Sequence, residues 1–156
     1  MYYFPLRSND KLFLGAVEDD FLIDGYTIRR YVDLKKVKIE GGKLIDIHRK
    51  EGHINNIVTP DIDTSDWRTV FTSLKNMNIN IIVERESNSD EDDFFYIGRI
   101  NKVSDKAVLM YHFDADGIWE ESPVRVPYAE ITSVSFGMRY VDIFSKHIDD
   151  PPGYKD

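Results

Sequence analysis

Residues 31–39, Tyr-Val-Asp-Leu-Lys-Lys-Val-Lys-Ile, and residues 128–136, Tyr-Ala-Glu-Ile-Thr-Ser-Val-Ser-Phe, share one pattern over nine consecutive positions. Each reads Tyr, small apolar, acid, aliphatic, two polar, Val, polar, large apolar. Upstream, Phe13-Leu14-Gly15-Ala16-Val17 matches Tyr96-Ile97-Gly98-Arg99-Ile100. The two blocks recur in the same order, which points to duplication and predicts two related units. Each unit places a Gly inside a strand, where a strongly bent sheet leaves no room for a side chain. The final block predicts a turn followed by a strand, with Leu34, Val37 and Ile39 as core positions in one half and Ile131, Val134 and Phe136 in the other.

Around these blocks run short segments rich in Val, Ile, Phe and Tyr, separated by Gly, Asp and Asn, the pattern of strands joined by tight turns. The first half reads as all-β, with strands at 11–17, 21–24, 26–31, 34–39 and 44–49 and turns at Asp24-Gly25 and Gly41-Gly42. After Pro60 the period changes. Thr64 or Ser65 is placed to cap a helix carrying Trp67, Val70, Phe71 and Leu74 on one face, ending at 76–80. Strands resume at 79–84, 94–103, 107–113, 124–127, 131–136 and 140–144, with a solvated acidic loop at 86–93. The expected fold class is therefore mainly β: two tandem SH3/Sm-like small β-barrels, with one amphipathic helix preceding the second. The units span 1–59 and 60–148, followed by a flexible tail at 149–156.

Composition narrows the function classes. Hydrophobic residues make up 42% of the chain, enough for a core, and cysteine is absent, which excludes disulfides and thiolate metal sites. No signal sequence or run of roughly 20 apolar residues is present, so a cytoplasmic location and no membrane association are expected. Residues 1–60 carry ten basic against nine acidic side chains and the remainder ten against nineteen, so the net charge of -8 belongs to the second half. An acidic surface repels phosphate backbones.

Catalytic and cofactor chemistry finds little support in the spacing of residues. His112-Phe113-Asp114-Ala115-Asp116-Gly117 opens like a calcium loop, yet Pro123 stands where the closing bidentate Glu belongs, so the segment reads as a strand end and turn. Asp90-Glu91-Asp92-Asp93 lacks a fixed geometry for a cation. His48, His53, His112 and His147 show no zinc-protease spacing and read as surface residues. The glycines form no phosphate-binding fingerprint, and no nucleophile elbow occurs. No catalytic residue, metal or cofactor is expected. One basic cluster, Arg29, Arg30, Lys35, Lys36 and Lys38 beside Tyr26 and Tyr31, pairs cations with aromatic rings and is the candidate contact surface for nucleic acid or a partner. Lys36 and Lys38 equally suit the solvent face of a strand.

The helix around Trp67, the segment Phe95-Tyr96-Ile97-Gly98-Arg99-Ile100-Asn101-Lys102-Val103-Ser104-Asp105-Lys106-Ala107-Val108-Leu109 and the segment Val134-Ser135-Phe136-Gly137-Met138-Arg139-Tyr140-Val141 resemble the Sm-like family. The resemblance covers about half the chain and implies a helix followed by five bent strands. The overall layout also resembles that of bacterial proteins without an assigned activity. In RNA-binding Sm-like proteins an Asp, an Asn and an Arg-Gly pair hold the base. Here Ser104 and Val108 stand near the first two positions and Phe136-Gly137 replaces the pair. Valine has no donor or acceptor for a base edge, so the fold carries over and base reading does not. The expected function is a non-catalytic adaptor or regulatory protein binding another protein, with a homodimer as one arrangement. The alternative is a divergent binder of RNA or single-stranded nucleic acid, using Tyr26, Arg29, Arg30, Lys36 and Lys38.

Overall fold

A computed structural model describes residues 1–154, the side chain of Asp90 excepted. Among the described residues eight strands are formed: β1 (Tyr2–Ser8), β2 (Leu12–Asp19), β3 (Leu22–Arg30), β4 (Asn80–Arg85), β5 (Phe94–Val103), β6 (Ala107–Phe113), β7 (Val124–Pro127) and β8 (Ser133–Phe136). They build one antiparallel sheet in the order β1-β2-β3-β8-β4-β5-β6-β7. The chain is mainly β, as its sequence predicts, but it forms one sheet open at β1 and β7 rather than two closed barrels. The cause is β8, which pairs with β4 of its own half on one side and with β3 of the first half on the other.

Three α-helices among the described residues pack against the sheet. α1 (Lys43–Lys50) and α3 (Arg139–Ser145) fall where strands 44–49 and 140–144 are expected, so the first half is not all-β. Short apolar runs fit either period, and the decisive signals lie at the ends. The end of α1 is marked by the basic residues His48, Arg49 and Lys50 and by Gly52 at φ 76°. The start of α3 is held from outside, by Asp24 Oδ1 accepting from Arg139 N at 2.7 Å. α2 (Trp67–Met77) matches its expectation, but its cap is Asp66 rather than Thr64 or Ser65. Asp66 Oδ1 accepts from Thr69 N at 2.9 Å and Thr69 Oγ1 accepts from Asp66 N at 3.1 Å, a reciprocal capping box.

Register sorts the side chains. One face of the sheet presents Leu12, Leu14, Ile28, Val134, Val83 and Met110, and all of these share a single core with Trp67, Val70, Phe71 and Leu74 of α2. That core takes residues from both sides of position 60, and it includes Val126 on the far strand β7, so the sheet curls around α2. On the opposite face Val141 and Phe144 of α3 meet Ile82, Ile97 and Phe113.

The repeat is partly visible in the backbone. Gly15 and Gly98 each lie in the middle strand of a three-strand meander, β1-β2-β3 and β4-β5-β6. A Cβ on Gly98 would sit 1.8 Å from Tyr111 O, so no other residue fits there. At Gly15 the nearest atom is Tyr3 Cβ at 3.1 Å, a tight but softer contact. Both Tyr-x-acid blocks form 3₁₀ turns, Tyr31–Asp33 and Tyr128–Glu130. Beyond them the halves part. Residues 131–136 lead into β8, whereas 34–39 form no strand and leave Val37 71% and Ile39 95% exposed. Val37 and Ile39 are therefore not core residues, because the place beside β3 is already taken by β8.

Asp24-Gly25 is a bulge inside β3 rather than a turn, since Ala16 and Glu18 on β2 pair with Tyr26 and Ile23. The chain reverses instead at Asp20-Phe21, both at positive φ. Residues 149–154, within the segment expected as a tail, lie against the body: Trp119 Nε1 donates to Asp149 O at 2.7 Å, Pro151 is buried, and Arg99 lies over the Tyr154 ring at 5.3 Å. Lys155 and Asp156 lie outside the described residues.

Candidate functional site

Alternation along β3 separates the basic residues that the sequence groups. Arg29 pairs with Phe13 and Ser133, while Arg30 projects from the other face beside Leu12. Arg30 forms a two-pronged ion pair with Asp33, at 2.6 and 2.8 Å, and donates to Ala129 O at 3.0 Å. Tyr26 is turned inward: its ring stacks on Phe136 at 5.3 Å and its hydroxyl donates to Val58 O at 2.7 Å. Lys36 and Lys38 lie on the exposed segment after the first 3₁₀ turn, and Lys38 is paired with Glu40 at 2.7 Å. Lys35 donates to Asn88 Oδ1 at 2.7 Å. These groups do not form one basic face.

Arg29 instead belongs to a polar row crossing β1, β3, β8 and β4. Its neighbours are Tyr3, Ser133, Glu84 and Glu86, with Arg29 Nη1 donating to Glu86 Oε2 at 3.4 Å and Ser133 Oγ donating to Glu84 Oε2 at 3.0 Å. Burial pushes the Glu84 carboxyl above its usual range, against the Ser133 hydrogen bond that favours the ionised form. Burial likewise raises the Tyr3 phenol, opposed by the Arg29 charge. Arg29 Nε is buried with no hydrogen-bond partner among the described residues. With two carboxylates beside it, the guanidinium is a poor seat for a phosphate, and Ser133 is fully buried and unavailable as a nucleophile.

A second cluster lies where α1 closes over the β1–β2 end, and it overturns the reading of all four histidines as surface residues. His48 is fully buried, His53 and His112 are partly buried, and His147 is exposed. α1 ends in a Schellman turn: Gly52 N donates to Arg49 O at 3.1 Å and His53 N donates to His48 O at 3.0 Å. That turn folds the residue after Gly52 back over the one three positions before the cap, a place ordinarily taken by two apolar side chains. Here it holds two imidazoles, His48 Nδ1 and His53 Nδ1, 3.1 Å apart.

On the other side of the ring, His48 Nε2 meets Glu18 Oε1 at 3.3 Å, and the same oxygen accepts from Phe21 N at 2.9 Å. A carboxylate only accepts, so a neutral His48 carries its proton on Nε2 and offers Nδ1 as a lone pair. Phe4 packs edge-on against His48 at 5.2 Å and Phe21 lies tilted at 5.5 Å. Phe21 has φ 66°, a left-handed conformation that costs a side-chain-bearing residue about 1–2 kcal/mol. Its contacts with Glu18 and His48 offset that strain. The sequence signal for this cluster is His-x-x-x-Gly-His at the end of a basic helical turn, which the strand reading of 44–49 hides.

Two open depressions lie away from this cluster, around the β1–β2 turn, one of about 410 Å³ lined by Arg7, Asn9, Asp63 and Thr64, the other of about 310 Å³ lined by Lys11, Leu12, Val32 and Trp67. Among the described residues no three or more His, Asp or Glu side chains are arranged to hold a metal ion, and no helix is long and apolar enough to cross a membrane. The Asp114 carboxylate is spent on its own turn, accepting from Asp116 N and Ile118 N at 2.9 Å each, with Gly117 at φ 78°. Of the Sm-type positions, Val108 is buried in the core and Ser104 Oγ donates to Ala107 O at 2.7 Å. No family model, curated protein or solved structure matches the chain.

Proposed function

We propose that the chain is a non-catalytic interaction protein whose second half is a Sm-like unit and whose partner is another protein, bound through residues 31–39. The Sm-like part rests on connectivity: α2, four strands in sequence, a 3₁₀ turn, and a last strand returning beside the first, giving β8-β4-β5-β6-β7. In that unit the free edge of β8 is filled by β3 of the same chain, so this edge needs no neighbouring copy. The absence of cysteine suits a reducing compartment such as the cytoplasm.

The observation that carries the binding role is the state of the repeated block. Residues 128–136 bury their apolar positions in the sheet, while the matching 31–39 leave Val32 81%, Val37 71% and Ile39 95% exposed. Within this segment Lys36-Val37-Lys38-Ile39 alternates polar and apolar residues and lies outside any sheet, which suits it to adding to a partner's sheet edge, with main-chain hydrogen bonds supplying affinity and alternate side chains supplying selectivity. Lys35, Lys36 and Lys38 between the apolar positions favour a partner edge flanked by acidic residues.

The test is affinity purification from the native host with the unaltered chain and with Val37→Asp/Ile39→Asp. The expected result is one protein recovered reproducibly and reduced at least tenfold by the double substitution, with circular dichroism unchanged. Recovery that is absent, equal for both chains, or abolished by nuclease overturns the proposal.

A further inference from the structure

We propose that His48 and His53 form a two-nitrogen seat for a divalent transition-metal cation of the zinc, nickel or copper class, with Glu18 orienting His48 from behind. Imidazole nitrogens bind such ions at about 2.0–2.1 Å, which sets two adjacent ligands about 2.9 Å apart at right angles and about 3.3 Å apart in a tetrahedron. The His48 and His53 Nδ1 atoms, 3.1 Å apart, fall inside that range. Metal-binding histidines commonly direct their second nitrogen to a carboxylate, which fixes the tautomer and raises the basicity of the ligating nitrogen. His48 has this arrangement, with Nε2 on Glu18 Oε1 at 3.3 Å.

The His48 ring and the His53 backbone are positioned before any ion arrives. His53 is held by the Schellman turn through its backbone bond to His48 O, and His48 is wedged between Phe4 and Phe21. Without a cation, a single proton on His53 Nδ1 bridges the two nitrogens. With one, that proton moves to His53 Nε2 and no net charge leaves the pair. Among the described residues no group of three or more His, Asp or Glu converges here, so two protein nitrogens leave the other coordination positions to water or to an outside ligand. His53 is partly buried, so the pair lies near the surface of the molecule. Imidazole ligands without thiolates favour zinc, nickel and copper over calcium or magnesium.

The experiment is calorimetric titration of the full chain with Zn²⁺ alone, together with His53→Gln, Glu18→Gln and the control His112→Gln/His147→Gln. Imidazole ¹⁵N resonances are followed in the unaltered chain. One equivalent bound, an affinity lowered at least tenfold in His53→Gln, a smaller loss in Glu18→Gln, no change in the control, and movement of both Nδ1 resonances support the site. His53→Gln removes a partly exposed group, and its fold is checked by circular dichroism, so loss of binding is separable from unfolding. No stoichiometric binding, equal binding in His53→Gln, or Nδ1 resonances unmoved by zinc overturns it and leaves a proton-bridged pair.

Discussion

At Gly98 the backbone of β6 approaches so closely that a Cβ would overlap Tyr111 O, and the atoms that would have to move are main chain in the sheet centre. At Gly15 the limiting neighbour is the Tyr3 side chain on the edge strand β1, which has room to yield. The two glycines are equivalent in the repeat but not in energy. Gly98→Ala is expected to cost about 3 kcal/mol and Gly15→Ala about 1 kcal/mol, the difference between overpacking a rigid and a yielding site. Urea unfolding of the two variants checks this, and equal losses would contradict it. Sequence already marks Gly98 as a place without room. It does not mark His48, because burial of a histidine depends on a Glu and two Phe from other elements.

Element boundaries follow local chemistry where that chemistry is strong. The face of α2 is legible from Trp67, Val70, Phe71 and Leu74, while its start is fixed by the Asp66–Thr69 exchange. Asp66→Ala removes the acceptor for Thr69 N and is expected to destabilise the protein by about 1 kcal/mol, with Asp66→Asn retaining most of that. The same urea measurement decides it, and no loss in Asp66→Ala would show that the first turn is held by packing alone. Segments 34–39, 44–49 and 140–144 are misread as strands. The runs 44–49 and 140–144 fit strand or helix period, and only Gly52 behind α1 and Asp24 in front of α3 choose between them, while 34–39 forms neither, with β8 beside β3 in the place expected for it.

Across the whole molecule, β8 makes the two halves one sheet, and Leu12, Leu14 and Ile28 from the first half share the core of α2 with Val83, Met110 and Val134 from the second. A fault in either half is thus felt by both. Ile28→Ala is expected to cost about 2–5 kcal/mol and to lower the protection of β2 and β5 amides in parallel by hydrogen exchange. Loss confined to β2 would show that the halves open separately. The sequence by itself determined the β-rich composition, the helix at Trp67, the spacing demand at Gly98 and the matching nine-residue pattern at 31–39 and 128–136, because each is written in adjacent or periodic residues. Only the tertiary structure decided that the repeated halves share one open sheet, that one copy of the block is a strand and the other is exposed, and that Glu18, His48 and His53 meet. Those outcomes turn on which segments pack together, a competition between parts distant in the chain that local residue pattern does not record.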